Sequence, residues 1–182
     1  RFWFTISFVL MLISVIQPLV LFNIARTHEK VIVMDESGVF HVATVKGLEE
    51  SEKLHGYIST LAADAFLNRS PAGSDNSELM KQLYIEPAYS HAMKIIEGES
   101  AEFGKKNIHQ KAEISEINTI QTGSNRIISQ VKGQIVRTGV FSGQTFSESY
   151  LFEIVLTLVR NPNLSTNGRL PLAVWKMAFR ME

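Results

Sequence analysis

The sequence contains no cysteine. That excludes disulfides, cysteine-ligated metals and thiol nucleophiles, and it leaves the redox compartment open. Charge of one sign is not in excess either, since 18 Lys and Arg face 18 Asp and Glu. A nucleic-acid binder leaves a basic excess as its electrostatic footprint, so direct nucleic-acid binding is not expected. The sequence has no phosphate-cradling glycine loop, no dinucleotide fingerprint and no G-x-S-x-G elbow. Gly139, Gly143 and Gly168 read as turn residues. His28, His41, His55, His91 and His109 have no metal-ligand spacing such as H-x-x-x-H and read as surface or strand-face residues. No catalytic residue, metal or cofactor is expected.

What is present begins with one long uncharged run. Phe2 to Ala25 carries no charged side chain, and Arg1 and Arg26 bracket it. About 20 apolar residues span a bilayer core as a helix, so the run is long enough with some tilt. Phe2, Trp3 and Phe4 suit an interface. Gln17 and Pro18 lie deep in the span, Gln17 placed to hydrogen-bond a neighbouring helix and Pro18 to kink this one. The rival is a cleaved signal peptide, whose apolar region runs only about 7–15 residues; Asn23-Ile24-Ala25 also makes a poor cleavage site. Three segments are expected: a transmembrane helix over 1–26, a juxtamembrane hairpin or linker over 27–47, and one aqueous domain over 48–182. Arg1, Arg26, His28 and Lys30 do not set the orientation. Arg rather than Met at position 1 leads us to expect a preceding segment.

Val31–Met34 and Val39–Val45 are β-branched runs around the turn residues Asp35-Glu36-Ser37-Gly38, which predicts a hairpin. Leu54, Tyr57, Ile58, Leu61, Ala62 and Ala65 then form one helical stripe ending near Asn68. Asp75 with Glu78 resembles a capping box and predicts a short helix through about Leu83. Pro87 suits the first position of the next helix, whose apolar face is Tyr89, Ala92, Met93, Ile96 and Phe103. After Gly104 the period changes to two. Strands are predicted over Ile108–Ser115, Ile127–Val136, Tyr150–Val159 and Leu172–Phe179, with turns at Thr122–Asn125 and Ser142-Gly143. The strand from Tyr150 is apolar on both faces, which predicts cover on both sides. Helices segregated from an antiparallel meander give an α+β domain.

Candidate chemistry in this part is thin. Glu97, Glu99 and Glu102 read as a solvated helix face. Asp64 borders an apolar stripe, and it reads as a helix-edge carboxylate paired with Arg69 or a lysine rather than as a cavity acid.

One membrane helix, then helices, then long strands resembles the TraE-type conjugal transfer protein. This is the bitopic inner-membrane subunit of type IV secretion systems, the counterpart of the eighth VirB component. The local features that carry the resemblance are Tyr57–Leu67, Glu148–Leu158, the Asn161-Pro162 pair and the strand containing Val174. The sequence departs from the stricter pattern: Asn163–Thr166 intervene before Asn167-Gly168, and Pro171 precedes Leu172. The resemblance implies a nuclear-transport-factor-two-like domain, a curved antiparallel sheet around helices, lying in the periplasm. It implies an assembly role with no catalysis, in a homo-oligomer that also contacts other inner-membrane and periplasmic channel subunits and the lipid bilayer. The loop with Arg160, Asn161, Pro162, Asn167, Gly168 and Arg169 is the candidate contact surface, and Gln17 and Pro18 the candidate membrane-helix contact. The competing function is a tethered ligand-binding or enzymatic member of the same cupped fold, which needs Asp64 to converge with Tyr57 or Tyr150.

Overall fold

The computed structural model describes residues 3, 5–7, 11–14, 16–18, 20, 30–34, 40–44, 51–123, 125–164 and 170–182. The chain divides into two units, Arg1–Lys46 and Gly47–Glu182. In the first unit, the described positions between 3 and 20 are helical. Among the described residues no helix is long and apolar enough to cross a membrane. The anchor expected over 1–26 falls in large part outside the described residues. Strands β1 (Lys30–Met34) and β2 (Phe40–Thr44) pair antiparallel, with Lys30 opposite Thr44 and Met34 opposite Phe40. The β-branched runs thus form a hairpin, and its turn lies outside the described residues.

The second unit starts with α1 (Glu52–Leu67), followed by two-residue strands β3 (Arg69–Ser70) and β4 (Gly73–Ser74). Helices α2 (Ser77–Leu83) and α3 (Ala88–Lys105) come next. Four long strands complete it: β5 (His109–Thr122), β6 (Arg126–Phe141), β7 (Gln144–Arg160) and β8 (Leu172–Met181). With β3 and β4 they make one six-stranded antiparallel sheet in the order β4-β3-β5-β6-β7-β8. Ser142 and Gly143, both at positive φ, close β6 onto β7 as a two-residue turn whose twist matches the strands. Register shifts in β5 between Ile114 and Glu116 and between Thr119 and Gln121, and in the β7–β8 pair, bend the sheet.

One face of this sheet receives the helices. Helix α1 lies against β5 and β6, while α2 and α3 lie against β8. Period-two alternation puts Ile127, Val131 and Ile135 of β6 and Ile154, Leu156 and Leu158 of β7 on that face, all fully buried. Ile58, Phe66 and Leu67 of α1 meet them, and the Phe66 and Phe179 rings pack edge to face at 5.3 Å. Each such side chain contributes about 1.5–3 kcal/mol by leaving water.

Tyr84 stitches the layers. It bridges to Val174 in parallel fashion, and its buried hydroxyl donates to the Ala62 carbonyl at 2.9 Å. Burial drives its ionisation far above the usual phenol range, so the hydroxyl stays a donor. Tyr84→Phe is expected to cost about 1 kcal/mol in urea unfolding with an unchanged m-value.

Four details differ from the sequence reading. Tyr57 is 60 % exposed, whereas Ser59, Ala63 and Phe66 take the buried stripe; that shift turns α1 by about one residue toward its small side chains. Helix α2 starts at Ser77 with Asn76 as its cap, and no side chain closes it; the Ser74 hydroxyl instead accepts from the Asn76 amide. His55 is buried rather than at the surface. Finally, β7 is covered on one side only: Phe152, Ile154, Leu156 and Leu158 are buried, but Leu151 on the opposite face is 67 % exposed. No second layer of described residues lies over that face.

Gly133 has no room for a side chain. A Cβ there would press on the backbone carbonyl of Glu113 and lie 2.9 Å from the Phe152 ring. Strand β5 therefore approaches β6 closely, right beside its first register shift.

Candidate functional site

The loop after β7 is tied at its neck. The Asn161 side chain donates to the Leu170 carbonyl at 2.6 Å, and its backbone amide donates to Pro171 at 3.1 Å. The Asn163 amide donates back to the Asn161 side-chain oxygen at 2.8 Å. Asn161 thus clamps the two ends together, with Arg160 and Pro162 exposed beside it. Asn167, Gly168 and Arg169 lie outside the described residues. Gln17 and Pro18 are helical and exposed.

Two further surfaces stand out on the second unit. The outer sheet face carries exposed Leu151 with half-buried Val136, Val155 and Val159. Beside Leu151 runs a groove of about 570 Å3, walled by Glu113, Glu116, Lys132, Glu153 and Arg180. Gln130 donates to Glu153 at 2.6 Å, and Gln134 to Glu113, so amides hold two of these carboxylates in place. At the far end of β6 and β7, Val140 and Phe141 are exposed. The ammonium groups of Lys105 and Lys106 sit 5.6 and 5.9 Å from the Phe141 ring centre.

The residues of the enzymatic alternative do not converge. Tyr57 faces solvent, and the Tyr150 hydroxyl donates to Glu148 at 2.6 Å. That bond holds the Tyr150 proton and pushes its ionisation up. Burial raises the Asp64 carboxyl, while Asn68 and the charge of Lys111 pull it down. Asp64 does not pair with Arg69. Lys111 instead bridges to Asp75 at 2.6 Å, holding the Asp75 carboxyl below its usual range.

Arg69 sits in a buried ionic centre that sequence reasoning missed. Its guanidinium lies between the rings of Phe66 (5.4 Å) and Phe103 (5.2 Å). Arg137 lies 5.2 Å from the Phe103 centre on β6, and both arginines are buried. One carboxylate serves both. Glu99 Oε1 accepts from Arg137 Nη2 at 2.8 Å, and Oε2 lies 2.7 Å from Arg69 Nη1. Arg137 Nε donates to Gln110 at 2.7 Å, and the Gln110 amide donates to the Leu67 carbonyl at 2.6 Å. Arg137 is thereby held on two sides. Arg69 is held on one side only: its Nη1 pairs with Glu99, while Nε and Nη2 have no hydrogen-bond partner among the described residues. Burial is the main influence lowering the Arg69 pKa, the charge and hydrogen bond of Glu99 oppose it, and the Arg137 charge adds to it. Glu99 is therefore a shared counter-ion rather than part of a solvated face.

The comparisons bear on the fold. No family model matches the chain, and no curated relative does. Solved structures do. An IcmL-like type IV secretion system protein from Legionella pneumophila superposes with a TM-score of 0.58 at 10% identity, over 75% of this chain and 96% of that one. The Agrobacterium tumefaciens VirB8 protein gives 0.56 at 11%, over 76% and 97%. A periplasmic fragment of TraM gives 0.53 at 13%, over 72% and 98%. The chain has the VirB8-like fold.

The curved sheet and its helices are thus the α+β architecture that the resemblance implied. Within the VirB8-like domain, the Asn161-Pro162 pair has a local reason: the asparagine closes the β7–β8 loop, and the proline turns the chain away from the strand. A signal for the ionic centre was present in the sequence. Arg137 continues the inward series Ile127, Ser129, Val131, Gly133, Ile135. Glu99 shares a helix face with Ile96 and Phe103 at spacings of three and four.

Proposed function

We propose that this protein is a structural and assembly subunit of a bacterial type IV secretion machine of the conjugative kind. In this reading residues 1–26 anchor it in the inner membrane by a single pass and the second unit lies in the periplasm. It associates with copies of itself and with other channel subunits. The observation that carries the reading is a fold shared over nearly the full length of periplasmic and secretion-system domains. The packed interior supports it, because helices and sheet meet through Phe66, Ile154 and Leu156 rather than around a polar cleft. So does the apolar outer face of β7, which offers area for a partner to cover. Anchoring draws support from the N-terminal helical positions. Met11, Leu12 and Ile13 follow one another in a described helical run, are all exposed and, at about 100° per residue, point to three different sides.

A membrane tether confines partner search to a thin layer and raises effective concentration, so weak domain contacts suffice for assembly. The test is the mass of the purified full chain in mild detergent, set against a chain beginning at Val31. A defined oligomer that collapses to dimers or monomers without the N-terminal segment is the expected result. Monomers in both forms would overturn the assembly role.

A further inference from the structure

We propose that the outer face of the β5–β8 sheet is a two-fold interface on which a second copy of this chain packs face to face. This inference rests on the self-association in the proposed function and names the surface that carries it.

The strand register lays one row of alternating charge across that face. Glu116 of β5 stands beside Lys132 of β6, Lys132 beside Glu153 of β7, and Glu153 beside Arg180 of β8. All four line the same groove, so they share one side of the sheet. Read across the strands, the signs run minus, plus, minus, plus. Turning a second copy over about an axis parallel to the strands, between β6 and β7, reverses that order. Every charge of the row then meets its opposite. Lys132 faces the partner's Glu153, Glu116 faces the partner's Arg180, and the symmetry repeats both contacts. An axis running across the strands would stack each charge on its own copy and repel. The row therefore selects the orientation, which is what interfacial charge supplies more than affinity. These charges are also unspent within the chain. Among the described residues Glu116, Lys132 and Arg180 make no ion pair, and Glu153 accepts from the Gln130 amide at 2.6 Å instead.

Apolar contact comes from β7. Leu151, Val155 and Val159 lie on the same face and beside the axis, so each is brought within about one strand's width of its own copy. The partner's Leu151 comes down over Gln134, inside the groove of about 570 Å3 that opens beside this copy's Leu151. Burying both leucines removes the largest apolar exposure on the sheet. One neighbouring row departs from the pattern, because Glu113 faces the partner's Glu182. Both carboxylates are exposed, where salt screens them, and Gln134 donates to Glu113.

The experiment uses the full chain in mild detergent and exploits its lack of cysteine. Sheets packed face to face lie about 10 Å apart and neighbouring strands about 4.8 Å, so a short bismaleimide reaches between two copies of Gln134→Cys. A cross-linked dimer is expected. Adding Lys132→Glu or Glu153→Lys is expected to cut its yield about tenfold, since each change sets two like-charge contacts across the interface. Co-expressing the two charge variants is expected to restore the yield, with one of each in the cross-linked dimer. A pairing of Lys132 with Glu153 inside one chain cannot produce that rescue. Single variants that cross-link as well as the parent, or a mixture that stays low, overturn the interface. So does a defined oligomer without the cross-link, which leaves the assembly role standing; monomers throughout overturn both. Should a charge variant fail to fold, the cross-link of Gln134→Cys decides alone.

Discussion

Glu99→Gln is expected to remove about 3 kcal/mol of stability. The change keeps the shape while deleting one charge and turning one acceptor oxygen into an NH2 donor. It leaves the guanidinium groups of Arg69 and Arg137, each 5.2 Å from the Phe103 ring centre, without the carboxylate they share. Breaking one side of a buried pair costs about 3–5 kcal/mol, and the partial exposure of Glu99 puts it at the low end. Urea unfolding measures the loss. A second variant isolates the electrostatic part: Glu99→Gln combined with Arg69→Met is expected to lose clearly less than the sum of the two single changes. Additive losses would mean that Glu99 acts by packing alone.

Gly133→Ala is expected to be comparably severe, at about 3 kcal/mol, although it adds one methyl group to the protein. The methyl would meet the Glu113 backbone and the Phe152 ring, and a backbone in a paired strand cannot step aside. Strand β5 has to separate from β6 or slide. Amide hydrogen exchange reads this directly, through faster exchange along the Glu113–Gln134 pairing than in the β7–β8 pairs. Gly139→Ala provides the control. Its Cβ would also crowd, against Lys106 and the Phe146 ring, but it lies near the β6–β7 turn, where the hairpin can flex. A smaller loss is expected there.

Much of the architecture was legible because periodicity is a physical record of burial. The strands from Ile127 and Tyr150 alternate as their neighbours require, and α3 shows its apolar face plainly. The strand limits were underestimated. Segments such as Ile117–Thr122 and Gln144–Ser149 pair through their backbone while their side chains are mostly polar, so hydrophobic pattern does not see them. Strands β3 and β4 are two residues each and leave no period to read. The ionic centre was hidden for a different reason. Arginine and glutamate are read as surface residues by default, and their burial here depends on Arg69, Glu99 and Arg137 meeting from three separate elements. The apolar outer face of β7 was read correctly as pattern and wrongly as cover, because a half-open face and a sandwiched one have the same sequence signature.

Strand β8 is the last of its sheet, and only its start is shielded, where the Ile85 amide donates to the Val174 carbonyl at 3.0 Å. From Trp175 onward its outer backbone is a ready template for another extended chain, the kind of edge along which pairing spreads from molecule to molecule. The residues on that stretch meet the hazard with charge. Lys176 lies 4.4 Å from the Trp175 ring centre, and Lys176 and Arg180 stand exposed on alternate positions. Two like charges brought into register by a second copy repel, so these residues act as gatekeepers against runaway stacking. The strand that completes the sheet thus also carries the charges that oppose its extension.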